Sequence, residues 1–172
     1  MSDALPEVWL RGPLPDVPAL LQPVAHSLLQ CREEAHARLA DLSPAQLTAR
    51  PGGAASVAFN LTHAAGSLDR LFTYARGQQL SDTQLAALRE EPAANDRATN
   101  AAALLRVIDA AVDRAIQQVR TTPERDLLAP REVGRGRLPS TVIGLLFHGA
   151  EHTQRHLGQA VTTARIVRGA GG

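Results

Sequence analysis

Ser140 to Val167 reads STVIGLLFHGAEHTQRHLGQAVTTARIV, and the spacing of its apolar residues decides the fold. Steps of three and four from Val142 reach Leu145, Gly149, His152, His156, Gln159, Thr163 and Ile166, the repeat of one helical face rather than the alternation of a strand. A helix opening at Pro139-Ser140 and running to about Val167 is long enough to serve as one full member of a bundle. Its seam holds four polar side chains where packing between helices calls for Leu or Val. A buried polar group without a partner costs about 1–3 kcal/mol, so the pattern predicts that something in the interior satisfies them.

Working outward, three more segments share this period. Val17 to Leu42 places Val17, Leu21, Val24, Leu28, Cys31, Ala35 and Leu42 on one stripe, with Pro23 delaying or kinking the start and an end near Asp41. Ser43-Pro44-Ala45-Gln46 is a capping box opening one short turn before Pro51-Gly52-Gly53 breaks the chain. Ser56 to about Arg76 carries Val57, Leu61, Ala64, Leu68, Leu71 and Ala75, with Gly77 placed to end it. Ser81 and Gln84 cap a short extra helix, Glu90 to Asp96 reads as a polar linker, and a helix from near Thr99 carries Leu104, Ile108, Val112, Ala115 and Val119. Thr121-Thr122-Pro123 ends it, and the stretch on to Pro139 reads as a long surface connection. The sum is an all-α four-helix bundle with long inter-helix connections, a single domain over residues 1–172. Within it, residues 1–16 form an arm that packs across the bundle, at a pocket rim, and 169–172 a flexible tail.

Composition agrees and narrows the function. The chain's 172 residues are 44% hydrophobic and only 3% aromatic, a balance suited to packed helices. With 18 basic residues against 17 acidic, the net charge of +1 offers no phosphate-binding footprint, and the few aromatics no stacking platform, so nucleic acid is not an expected partner. The one cysteine, Cys31, excludes an internal disulfide framework, and a reducing cytoplasm is the expected compartment. No apolar run is long enough to span a membrane, and the first residues lack the basic-then-apolar order of an export signal.

His152 and His156 lie four apart, which puts two imidazoles on one helical face a turn apart, close enough to share one metal ion. His148 lies a further turn back, within the same quadrant. Two ligands on one helix require a third from elsewhere, and His26, His36, His63 and the acidic residues are all candidates on spacing alone. His26 reads as partly buried and His36 as solvated, while Cys31 sits on an apolar seam as a small hydrophobe.

Two segments carry a family likeness. Pro51-Gly52-Gly53-Ala54-Ala55-Ser56-Val57-Ala58-Phe59-Asn60-Leu61-Thr62-His63 and Glu151-His152-Thr153-Gln154-Arg155-His156-Leu157-Gly158-Gln159 together resemble the DinB superfamily of bacterial four-helix-bundle metalloproteins, over about Val17 to Val167. The resemblance implies a divalent metal, zinc or nickel, held by His63, His152 and His156 with a position left open. Leu157 stands where the family's motif has Arg, so no contact by that side chain is implied. Gln159 is placed to orient a ligand, and Glu151 and His148 to act behind the ligands or carry protons.

By the same resemblance, the expected chemistry is S-transfer or isomerisation of small electrophiles with a low-molecular-weight thiol such as bacillithiol, mycothiol or glutathione, in a stress or detoxification setting. The nucleophile then comes from the small thiol, and Arg135, Arg137 and Arg155 are candidate anchors for its carboxylates. A hydrolase using activated water, with Glu151 as base, and a non-enzymatic stress-associated metal-binding scaffold are the alternatives. A homodimer is expected, from the family and from apolar surface at Phe59 and Tyr74 beyond what one seam needs; a monomeric mass at micromolar concentration would overturn it.

Overall fold

The computed structural model describes residues 5–98 and 100–169. Its long helices are α1 (Gln22–Leu39), α3 (Val57–Ala75), α6 (Ala101–Thr121) and α7 (Val142–Gly169), with shorter α2 (Pro44–Thr48), α4 (Asp82–Glu90) and α5 (Ala94–Arg97) between them. α7 packs most extensively on α3, α3 also on α6, and α1 closes the ring by packing on both α7 and α6. Leu28, Leu39, Leu61, Leu68, Val112, Val119 and Leu146 are fully enclosed at its centre. This is the four-helix bundle read from the sequence.

Local chemistry sets the helix ends. Pro23 sits in the first turn of α1, where a missing N–H costs no hydrogen bond, and a 3₁₀ turn at Ala19–Leu21 precedes it. The Ser43 and Ser81 capping boxes both form. The Ser56 hydroxyl accepts from the Phe59 N–H at 3.1 Å to open α3. The Asn100 side chain accepts from Ala103 N–H to open α6, a residue or two after the expected start.

Two expectations are corrected. The stretch before α7 is not an irregular connection: Pro130–Val133 (β1) pairs antiparallel with Leu138–Thr141 (β2), and a turn with Gly134 at φ +67° and Arg137 at φ +48° joins them. Gly residues, Pro and Arg hid a four-residue ladder with little apolar alternation, and the Arg131 guanidinium ties it to the Ala75 carbonyl at the end of α3. Helix α7 therefore starts at Val142, with the Thr141 hydroxyl accepting from Gly144 N–H.

The second correction concerns the seam of α7. Its most enclosed line is Leu146, Ala150, Thr153, Leu157, Ala160 and Ala164, one residue or about 100° around from the seam read from the sequence. α7 lies between α1 and α3, and the small Ala and Thr side chains that let both approach are weak hydrophobic signals. His152 and His156 consequently stand at the edge of the buried arc, and Gln159 and Ile166 are exposed. Gly149 marks the tightest approach, where an added Cβ would lie 2.8 Å from the Phe72 ring.

The described residues of the arm, 5–16, pack on α1. Val8 N–H donates to Gln30, Arg11 reaches Glu33 through two 2.7 Å bonds, and Gln22 holds the Leu14 backbone, while Trp9 stays exposed. The shallow pocket it rims is lined by its own residues and those of α1, away from α3. Of the tail expected over 169–172, Gly169 is instead the last residue of α7, and 170–172 lie outside the described residues. No helix among the described residues is long and apolar enough to cross a membrane.

Candidate metal centre

Three imidazoles meet where α3 crosses α7. His63 lies two turns into α3 from the Ser56 cap, and His152 and His156 project from successive turns of α7. The ring of His156 lies 4.5 Å, centroid to centroid, from each of the other two, and His63 Nε2 is 3.1 Å from His152 Nε2. A nitrogen of each ring lies within 4.8 Å of the others. Phe59, one turn before His63, stacks parallel on its ring. The sequence left the third ligand open among several histidines and acids; the fold brings His63 to the pair and leaves His26 and His36 on α1, where His36 meets Asp109 at 2.9 Å.

The other ring nitrogens are held from behind. His63 Nδ1 is 2.7 Å from Glu91 Oε2, and His156 Nδ1 is 2.9 Å from Asn60 Oδ1, whose amide N–H in turn donates to the Ser56 carbonyl at 3.0 Å. Asn60 cannot donate from its oxygen, so His156 Nδ1 carries the proton and its Nε2 is left as the ligand atom. Arg70, one α3 turn past Gly66, binds both oxygens of Glu91. His152 Nδ1 is buried without a hydrogen-bond partner among the described residues. A buried, unmatched ring nitrogen in a cluster of three imidazoles fits a metal ion, which takes imidazole lone pairs.

Electrostatics favour the ligating state. Burial, and then the proximity of His63, hold the His152 pKa below the usual imidazole value. The same causes push His156 down to about 4. Metal ligation needs neutral rings, so these two are prepared over a wide pH range. The shift also sets a stability dependence. Between about 6.5 and about 4 the unfolded chain binds a proton at His156 that the folded chain does not, so stability falls as pH drops through that window. The melting temperature of metal-free protein should therefore fall more steeply between pH 7 and pH 4.5, on the order of that window, than that of His156→Gln. Parallel pH profiles would contradict this origin.

Other sequence candidates fall elsewhere. Glu151 spends its carboxylate on Arg155 and on His148, the latter at 3.3 Å, and Arg155 holds its pKa below the usual carboxylate range. His148 is half-exposed, its ring 5.5 Å from that of His152. Gln159 lines a surface groove of about 630 Å³ with Asn60, Arg155, Gly158, Thr162 and Ile166, a groove that none of the three histidines lines. Arg135 and Arg137 lie in the hairpin turn, where Arg137 pairs with Glu132 at 2.6 Å. Only Arg155 of the three candidate anchors borders the groove. Phe59 and Tyr74, read as surplus apolar surface for a second copy, are used within the chain, one against His63 and the other in the core.

Sequence reading missed Asn60, Arg70 and Glu91. Asn60 had a signal: a poor helix former inside the apolar run Val57 to Leu61 needs a partner to justify its place. Glu91 had none, since Glu90-Glu91-Pro92 looks like a solvated linker, yet the 3₁₀ turn Glu91–Ala93 folds this carboxylate under α3 until it is 5% exposed.

A family model described as the DinB superfamily matches residues 27–160, most of the chain and all three histidines of this centre. No curated protein matches the chain.

Proposed function

The chain belongs to the DinB superfamily, and on that premise we propose that it is a metal-dependent enzyme that uses a low-molecular-weight thiol, such as bacillithiol, to modify small electrophiles. The observation that carries this reading is the cluster of His63, His152 and His156, tied through the His156–Asn60 hydrogen bond to an open groove that Asn60 lines. Three neutral nitrogen donors leave a coordination position for a further ligand, as catalytic zinc sites do. A divalent metal, zinc or nickel, would supply the positive charge that stabilises a thiolate at neutral pH.

The remaining roles belong to the chain. Asn60 and Glu91 hold two of the ligand rings in place. The groove, with Ala54, Ala55, Gly158 and Thr162 leaving room along its length, takes the thiol and the electrophile, and Arg155 at its border, whose Nε and Nη2 bind Glu151, offers its Nη1 to a carboxylate. The thiolate sulfur forms a bond to the electrophilic carbon, the leaving group departs with its electron pair, and the thiol proton passes to solvent. Cys31 is no competing nucleophile, since burial pushes its thiol up to about 12. The hydrolase reading loses support because Glu151, its sequence-derived base, is engaged by Arg155 and His148.

Metal-loaded protein mixed with bacillithiol, mycothiol or glutathione and a chlorodinitroarene is expected to consume at least one thiol well above the uncatalysed rate, and His152→Ala to lose that excess. No acceleration with any of the three thiols would reject the thiol-transfer reading.

A further inference from the structure

Glu91 lies outside the two helices that carry the three imidazoles, yet its carboxylate reaches one of them, His63. It is enclosed, its Oε2 lies 2.7 Å from His63 Nδ1, and Arg70 grips both oxygens from the next turns of α3. Gly66 makes the approach feasible: a Cβ there would overlap Glu91 Oε1 and lie 2.9 Å from the Arg70 guanidinium. We infer that Glu91 is the positioning residue of this centre: anchored by Arg70, it fixes His63 as the Nδ1–H tautomer with its Nε2 lone pair facing His152 and His156, and so sets the affinity for the metal.

An ionised carboxylate can only accept at Nδ1, so the His63 proton must sit there and Nε2 must be bare. A carboxylate behind an imidazole also makes the ring a better electron-pair donor, and loss of such a partner costs about 10–100-fold in metal affinity. Arg70 forks across both carboxylate oxygens, which fixes the plane of the carboxylate and, through it, the plane of the His63 ring. Phe59 stacks parallel on the face of the same ring.

This inference rests on the metal reading above, and the test separates the two. Co²⁺ affinity is measured by competition with a chelator for the whole chain and for Glu91→Gln, whose shape is nearly unchanged. The expected result is a dissociation constant raised about 10–100-fold, with the visible ligand-field bands of bound Co²⁺ shifted. A Glu91→Gln constant within about twofold of the wild type, with unchanged bands, would overturn the role of Glu91 while leaving the metal site standing. A wild type that binds no Co²⁺ would overturn both. A second measurement needs no variant: long-range proton–nitrogen NMR of metal-free wild type should show His63 protonated at Nδ1. Protonation at Nε2 would overturn the inference directly.

Discussion

Arg70→Met is expected to lower the unfolding free energy of the metal-free protein by about 3–5 kcal/mol, the loss typical of breaking a buried ion pair from one side. The side chains of Arg70 and Glu91 are 11% and 6% exposed, so removing the guanidinium leaves a carboxylate enclosed against α3 and still hydrogen-bonded to the His63 ring. The cost arises from the stranded charge and not from the absent pair. Adding Glu91→Gln to Arg70→Met should therefore recover much of the loss, because an amide can be enclosed far more cheaply than an ion. Urea unfolding of the two single variants and the double variant measures this. A loss below about 1 kcal/mol in Arg70→Met would place the pair among surface ion pairs and contradict its enclosure.

The pair also shows where a centre of this kind is vulnerable. His63 is attached to its helix, but its orientation depends on a carboxylate 28 residues further along, delivered by a single 3₁₀ turn. The packing of that turn under α3 thus belongs to the metal site as much as to the core.

What could be read in the sequence, and what could not, follows from the same physics. The four long helices show because apolar stripes such as Val24, Leu28, Cys31 and Ala35 recur at the helical period and every one of these side chains is buried. The caps at Ser43 and Ser81 show because hydroxyl capping is a local interaction, complete within three residues. The His152–His156 pair shows for the same reason, as one helical turn brings the rings together. His63 lay outside that local logic. On its own helix it sits away from the Leu-rich stripe, and only the packing of α3 on α7, or the family resemblance, joins it to the other two.

The misses are of a different kind. The hairpin before α7 consists of two four-residue strands without clean alternation, too short and too polar to stand out from a loop. The groove side of α7 was misjudged at Gln159 because a helix wedged between two neighbours buries a broad arc, and spacing cannot say where that arc ends. Glu91 escaped because a carboxylate folded under a helix and one in a solvated linker have the same local sequence; the difference is made by Arg70 and Gly66, twenty and more residues away.

The central claim is that His63, His152 and His156 together hold one metal ion, and replacing any of them should abolish it, since two imidazoles are too few for a stable site of this type. Elemental analysis of the purified protein tests this most directly, comparing wild type with His63→Ala, His152→Ala and His156→Ala at equal helical content by circular dichroism. The expected result is about one transition-metal ion per chain in the wild type and none above background in each variant. A wild type that stays free of metal after incubation with Zn²⁺ or Ni²⁺, or variants that keep a full complement, would contradict the account.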